Sequence, residues 1–204
     1  SPGDLDRCFF TSGGSESNET ALKLARAYHK RNGEGGRYRF ISRKGSYHGA
    51  TFGAMSVSGR PAFASPADYE PLLDGVLHAP HPNPYRCEYG AKSPTECAVK
   101  CAKAIEDLII LYQPETVAAV IAEPIASPPG CAVPGPEYWP MLRDICDRYG
   151  VLLIADEVIT GFGRTGRMFA CEHWGITPDI MTVAKGITSG YLPLGAAIAR
   201  KKIA

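Results

Sequence analysis

The chain has 204 residues, enough for one domain with a substantial core or for a large piece of a bigger one. Its 22 Lys and Arg balance 21 Asp and Glu; they are dispersed, so no basic stripe invites nucleic acid or an anionic lipid surface, and no apolar run approaches the roughly 20 residues of a membrane span. Seven cysteines, an odd number spread along the chain, fit a reducing compartment, hence a cytoplasmic location, and leave small molecules as the expected partners.

The chain opens SPGDLDRC, without an initiator Met, and then runs TSGGSESNETALKLARAYHKR. Gly13 and Gly14 precede Ser15 and an amphipathic helix predicted over Asn18–Arg31, with its start near Ser17. A glycine turn entering a helix leaves free N–H groups at the positive dipole end, which suits a phosphate. It equally suits a plain turn and cap, and the stretch alone does not separate the two. A strand over Arg37–Ser42 leads to KGSYHGAT, where Tyr47 and His48 sit between Gly45 and Gly49. An aromatic ring so placed can stack on a flat heterocycle or be an ordinary loop residue.

Between Pro61 and Pro94 the chain is dense in proline, with HAPHPNPYR at its heart, and reads as a long ordered loop. A helix over Pro94–Tyr112 places Cys97, Cys101, Ala104, Ile105 and Leu108 on one face. With His78, His81 and Cys87 nearby a zinc site is conceivable, yet there is no C-x-x-C pair; the pattern favours inward packing, and no metal is expected. A strand over Val117–Glu123 and a helix over Pro136–Tyr149 follow.

The next strand, Val151–Asp156, runs into VITGFGRTG, which contains G-x-G-x-x-G. A dinucleotide loop would open a crossover helix and meet an acidic residue roughly 20 positions on. Arg167–Trp174, closed off by Gly175 and Pro178, is too short for that helix, and Met181–Gly186 offers a lysine instead of a carboxylate. Asp156 and Glu157 end an apolar strand, where a carboxylate is costly unless it meets a cation or caps a neighbouring segment. The strand Ile180–Ala184 delivers Lys185, trailed by Gly186, Ser189 and Gly190. A strand-end lysine is partly desolvated, and its neutral amine can attack a carbonyl to form a Schiff base. The last predicted strand is Ala196–Ala199.

Helices alternating with short apolar strands predict an α/β fold, a mostly parallel sheet with helices on both faces. Ligands of such sheets sit at the carboxyl ends of the strands. A phosphate cradle, a stacking aromatic, a strand-end Asp and, 185 − 156 = 29 residues later, a strand-end Lys are the parts that pyridoxal 5'-phosphate needs.

These segments resemble the class III aminotransferases of fold type I. ADEVITGFGRTG and AKGITSGYLPLGA are similar to the family's two signature segments, and GGSESNETALKLAR, SYHGAT and IAEPI to its phosphate-loop, ring-stacking and strand-end segments, in the family's order. The resemblance implies that Lys185 carries the cofactor as a Schiff base and moves the substrate proton, while Asp156 holds the pyridine nitrogen protonated. It implies a phosphate site at Gly14 and Ser15, Tyr47 and Val158 on opposite ring faces, and His48 among the cofactor-binding residues. Glu123 would pair with a mobile arginine that gates the substrate pocket. Ile159, where several branches have Gln, leans toward the branches using ω-amino acids or amines with pyruvate.

Family members are roughly twice this length. Residues 1–204 therefore read as an incomplete large domain, without the N-terminal segment and the C-terminal small domain. A homodimer is implied, with a partner-subunit Thr completing the phosphate site. The expected activity is transfer of an amino group from an ω-amino acid or amine to a 2-oxo acid such as pyruvate. Aminomutase or decarboxylase chemistry, or a catalytically silent module, are the alternatives.

Overall fold

The computed structural model describes residues 2–59 and 68–204. Four α-helices, α1 Gly14–Arg31, α2 Phe52–Val57, α3 Pro94–Leu111 and α4 Tyr138–Tyr149, flank a seven-stranded sheet. Its strands are β1 Leu5–Thr11, β2 Arg39–Arg43, β3 Val76–Ala79, β4 Val117–Ala122, β5 Leu152–Asp156, β6 Ile180–Val183 and β7 Gly195–Arg200, in the order β1-β7-β6-β5-β4-β2-β3. The run β3-β2-β4-β5-β6 is parallel; β7 turns antiparallel against β6, and β1 against β7.

Every residue of β4, β5 and β6 is buried, as strands covered on both faces must be. Successive side chains point to opposite faces. Val120, Leu153 and Met181 pack with α3 and α4, whereas Ile121, Ile154 and Ile180 pack with α1. Trp139 anchors the first layer, fully buried beside Trp174 and donating its indole N–H to the Pro124 carbonyl at 3.3 Å.

Helix starts follow local chemistry. Ser93 caps α3, its hydroxyl accepting from Glu96 N at 3.1 Å, with Pro94 in the first turn and Glu96 accepting from Lys92 N at 2.8 Å. By contrast α1 begins at Gly14 with no side-chain cap. The helix therefore starts a turn earlier than the amphipathic pattern predicts, inside the glycine segment itself.

Three elements differ from the sequence reading. The strand β1 is exposed along most of its length and carries no alternation, so pairing with β7 defines it. The expected loop after Pro61 contains β3, which adds to β2; the loop's residues 61–67 lie outside the described residues. The short helix α2 follows Thr51 in a stretch that has no capping hydroxyl bond to announce it.

The sheet's far side is tied by Asp179, buried just before β6. It accepts from Leu153 N at 3.0 Å and pairs with Arg143 of α4 at 2.9 Å and Lys202 at 3.1 Å. Burial would raise its carboxyl pKa, but Arg143 and the Leu153 amide outweigh this and hold it down. Breaking a buried pair strands the remaining charge. Asp179→Ala should cost about 3 kcal/mol, the low end for such pairs, because Arg143 keeps Asp147 at 2.7 Å. Urea unfolding measures this; a loss under about 1 kcal/mol would place Asp179 among surface ion pairs.

Candidate active site

The carboxyl ends of the parallel strands surround a cavity of about 200 Å³ lined by Gly14, Ser15, Asn18, Tyr47, His48, Gly49, Glu123, Asp156, Val158, Ile159 and Lys185. All eight residues expected from the sequence converge on it. They arrive on five elements: Glu123 after β4, Asp156 at the end of β5 with Val158 just beyond it, Lys185 after β6, Tyr47 and His48 after β2, Gly14 and Ser15 on the first turn of α1.

Three donors converge on Asp156. Asn18 Nδ2 donates to Oδ2 at 2.9 Å, His48 Nδ1 lies 2.7 Å from the same oxygen, and Val158 N donates to Oδ1 at 3.0 Å. Asn18 also donates to the His48 carbonyl at 2.6 Å and accepts from Thr182 Oγ1 at 2.7 Å. Sequence reasoning missed Asn18 and Thr182. Their signals were present: an asparagine inside a helix, where it is a weak former, and a hydroxyl in an otherwise apolar strand.

His48 lies between two carboxylates, with Nε2 at 3.8 Å from Glu123. Burial lowers its pKa, but the Glu123 charge and the Asp156 hydrogen bond and charge outweigh that and raise it, favouring the imidazolium. Glu123 is buried too, which would raise its pKa; the charges of His48 and Arg43 override this and set it at about 2. Arg43, another residue the sequence reading passed over, donates to the Glu123 side chain at 2.8 Å and to its carbonyl at 2.6 Å. Tyr47 N donates to the second carboxylate oxygen at 3.0 Å. Glu123 thus already has a cationic partner, and a gating arginine would share it with Arg43.

Lys185 is exposed by area but borders the cavity, and desolvation with the Arg164 charge outweighs the Asp156 attraction to lower its pKa. Its φ of 46° lies in the left-handed region. A side chain held there stores local strain, a common mark of functional positions. Phe162 supports this turn: it packs edge-on against Phe169 with centroids 5.5 Å apart and lies 3.1 Å from where a Gly186 Cβ would stand. The GFGRTG segment is therefore a prop for the Lys185 turn. The short helix after it, Ala170–Trp174, has five residues, as the case against a dinucleotide loop required.

Asp156 and its neighbour Glu157 part company. Glu157 turns away from the cavity, accepts from Ala170 N at 3.0 Å and Cys171 N at 2.8 Å, and bonds Thr160. It caps that short helix. At the opposite wall, Ser15 Oγ accepts from Ala50 N at 3.0 Å. A Cβ at Gly14 would come within 2.9 Å of Val158 Cγ1, so only glycine keeps the α1 N-terminus open against Val158.

The model of the aminotransferase class-III family matches residues 1–204. The chain belongs to this family. It is similar to an ω-aminotransferase of Caulobacter vibrioides, 45% identical over 99% of this chain and 46% of the relative, and to a putrescine–pyruvate aminotransferase of Pseudomonas aeruginosa, 41% identical over 99% of this chain and 44% of the relative. Among solved structures it is similar to an amine transaminase from an uncultivated Pseudomonas species in its pyridoxal-phosphate-bound form, with a TM-score of 0.93 at 45% identity, covering 97% of this chain and 44% of that one. The chain thus spans less than half the length of these class-III relatives. Among the described residues, no helix is long and apolar enough to cross a membrane.

The His48 cluster gives the site a signed pH response. A raised folded pKa means that the stabilisation from His48 is complete below its unfolded value of about 6.5 and is lost as pH rises through the folded value. Glu123 works oppositely: its contribution is present above about 4.3 and is lost as pH falls toward the folded value. Replacing the imidazole in His48→Asn should therefore cost most stability between these limits and progressively less at alkaline pH. Unfolding curves of both proteins across pH check this; a gap that stays constant from acid to alkaline pH would show that His48 acts without its charge.

Proposed function

We propose that this chain is the cofactor-binding part of a pyridoxal-phosphate-dependent transaminase that moves an amino group from an ω-amino acid or amine to a 2-oxo acid such as pyruvate. The observation that carries the reading is the pairing of Lys185 and Asp156 across one cavity whose third wall is an uncapped helix N-terminus. The residues fit the cofactor: a glycine that must stay small against Val158, free backbone N–H groups at the positive helix end for a phosphate, and a firmly held carboxylate for a ring nitrogen.

When bound, pyridoxal phosphate supplies an electron sink that weakens the substrate Cα–H bond. The chain supplies position and charge. Gly14 and Ser15 would hold the phosphate, Tyr47 and Val158 would pack against the ring, and Asp156, locked by Asn18 and His48, would keep a proton on the ring nitrogen. Lys185, its pKa lowered by desolvation, is the amine that would hold the cofactor's carbonyl carbon, and its Nζ would move the proton at the substrate Cα. Ile159 gives the cavity an apolar wall in keeping with amine or ω-amino acid donors. Glu123 stands where a mobile arginine would meet it. The names of the ω-aminotransferase and putrescine–pyruvate relatives support transamination over aminomutase or decarboxylase chemistry.

Borohydride reduction of the full-length protein followed by peptide mapping should find the pyridoxyl group on Lys185. Asp156→Asn should retain that label yet slow transamination by roughly a hundredfold or more, as losing a preorganised charge contact does. Labelling at Lys201 or Lys202, or full turnover in Asp156→Asn, would overturn the assignment.

The phosphate cradle has one side-chain hydroxyl, and a helix dipole contributes only about 0.3 to 1 kcal/mol to an anion. A second subunit completing it makes the enzyme a homodimer with shared sites, and the exposed Tyr191 and Leu192 beyond the Lys185 turn offer it apolar surface. Cofactor retention should then fall on dilution as dimers part. A monomer in the ultracentrifuge that keeps its full visible absorbance would refute the shared site.

A further inference from the structure

Away from the cavity three thiols meet. Cys87 follows the short turn Pro84–Arg86, Cys97 and Cys101 sit on the first two turns of α3, and their three Sγ atoms all lie within 4.8 Å of one another. The helical spacing correctly predicts that Cys97 and Cys101 face the core. It carries no information about Cys87, which the proline-rich loop returns to the same spot. We infer that Cys87, Cys97 and Cys101 form a binding site for a soft, thiophilic cation such as Zn²⁺, with water or an external donor at the fourth position.

The spacing suits it. At a zinc–sulfur distance of about 2.3 Å, the sulfurs of a tetrahedral centre stand about 3.8 Å apart, so side-chain adjustments of about 1 Å close the site. Burial raises the Cys97 and Cys101 thiols above their usual value, so a metal must displace their protons. Gly90 N donates to the Cys87 carbonyl at 3.0 Å with φ 60°, a tight turn directly after Cys87. Cys97 lies near the positive end of α3.

The nearby imidazoles do not join. His78 Nε2 engages the Ser58 carbonyl at 3.1 Å, and only the backbone carbonyl of His81 approaches, at 3.5 Å from Cys101 Sγ. An all-sulfur donor set selects a soft cation over Mg²⁺ or Ca²⁺. Cys87 is only partly buried, whereas the other two are enclosed, so the open coordination position faces its side. Binding replaces three S–H bonds with three metal–sulfur bonds and releases three protons to solvent; no oxidant is required.

The test uses the full-length protein, reduced and stripped with a chelator. One equivalent of Co²⁺ should give a near-ultraviolet sulfur-to-cobalt band and the intense visible bands of tetrahedral coordination, both abolished by Zn²⁺. One Zn²⁺ per chain should survive gel filtration. Cys97→Ser should lower zinc affinity by roughly a hundredfold or more, since even outer contacts cost 10- to 100-fold, while Cys131→Ser, a change at an exposed thiol, should not. If Cys97→Ser does not fold, Cys87→Ser on the accessible turn replaces it, and zinc should shield Cys87 of the wild type from alkylation. Absence of the sulfur–cobalt band, or zinc retention undiminished in Cys87→Ser, would overturn the site.

Discussion

The carboxylate of Asp156 is the constraint around which the remaining site is arranged. A nearly buried carboxylate is stable only when its oxygens are satisfied, and here the donors come from α1, from the loop after β2 and from the backbone just past β5. Thr182 of β6 fixes the asparagine that does part of this work. Four separate elements are therefore bound to one side chain. A change in any of them is felt at the position where a ring nitrogen would be held.

Charge is distributed outward from that point in alternating sign. Asp156, His48, Glu123 and Arg43 form a buried sequence of acid, base, acid and base. Each member lowers the desolvation cost of the next, so none would be stable in its present form if its neighbours were apolar. Glu123 thus has its charge balanced from two sides, by Arg43 and by His48.

Much of this was legible in the sequence because the chemistry lies on strand ends, and strands buried on both faces announce themselves as apolar runs. Asp156 and Lys185 each terminate such a run. The elements that were not legible lack an internal signal: β1 is formed by pairing with β7, and β3 is short and set in a proline-rich stretch. Periodicity also misses what depends on distant contacts. The opposite fates of Asp156 and Glu157 follow from strand alternation, but which of the two would face the cavity depended on where α1 packed. Arg43 read as an ordinary basic residue until the fold buried it against Glu123.

The prop under the Lys185 turn has a consequence for how such chains diverge. Phe162 is fixed from two directions, by Phe169 and by the Gly186 turn, and the far end of its loop is pinned by Glu157 to Ala170 and Cys171. Between those anchors Gly163–Arg167 is held by its own turn bonds and by His173, whose Nε2 lies 3.1 Å from both the carbonyl and the hydroxyl of Thr165. A single residue added between Phe162 and Glu157, or within Lys185–Ser189, would displace the amine.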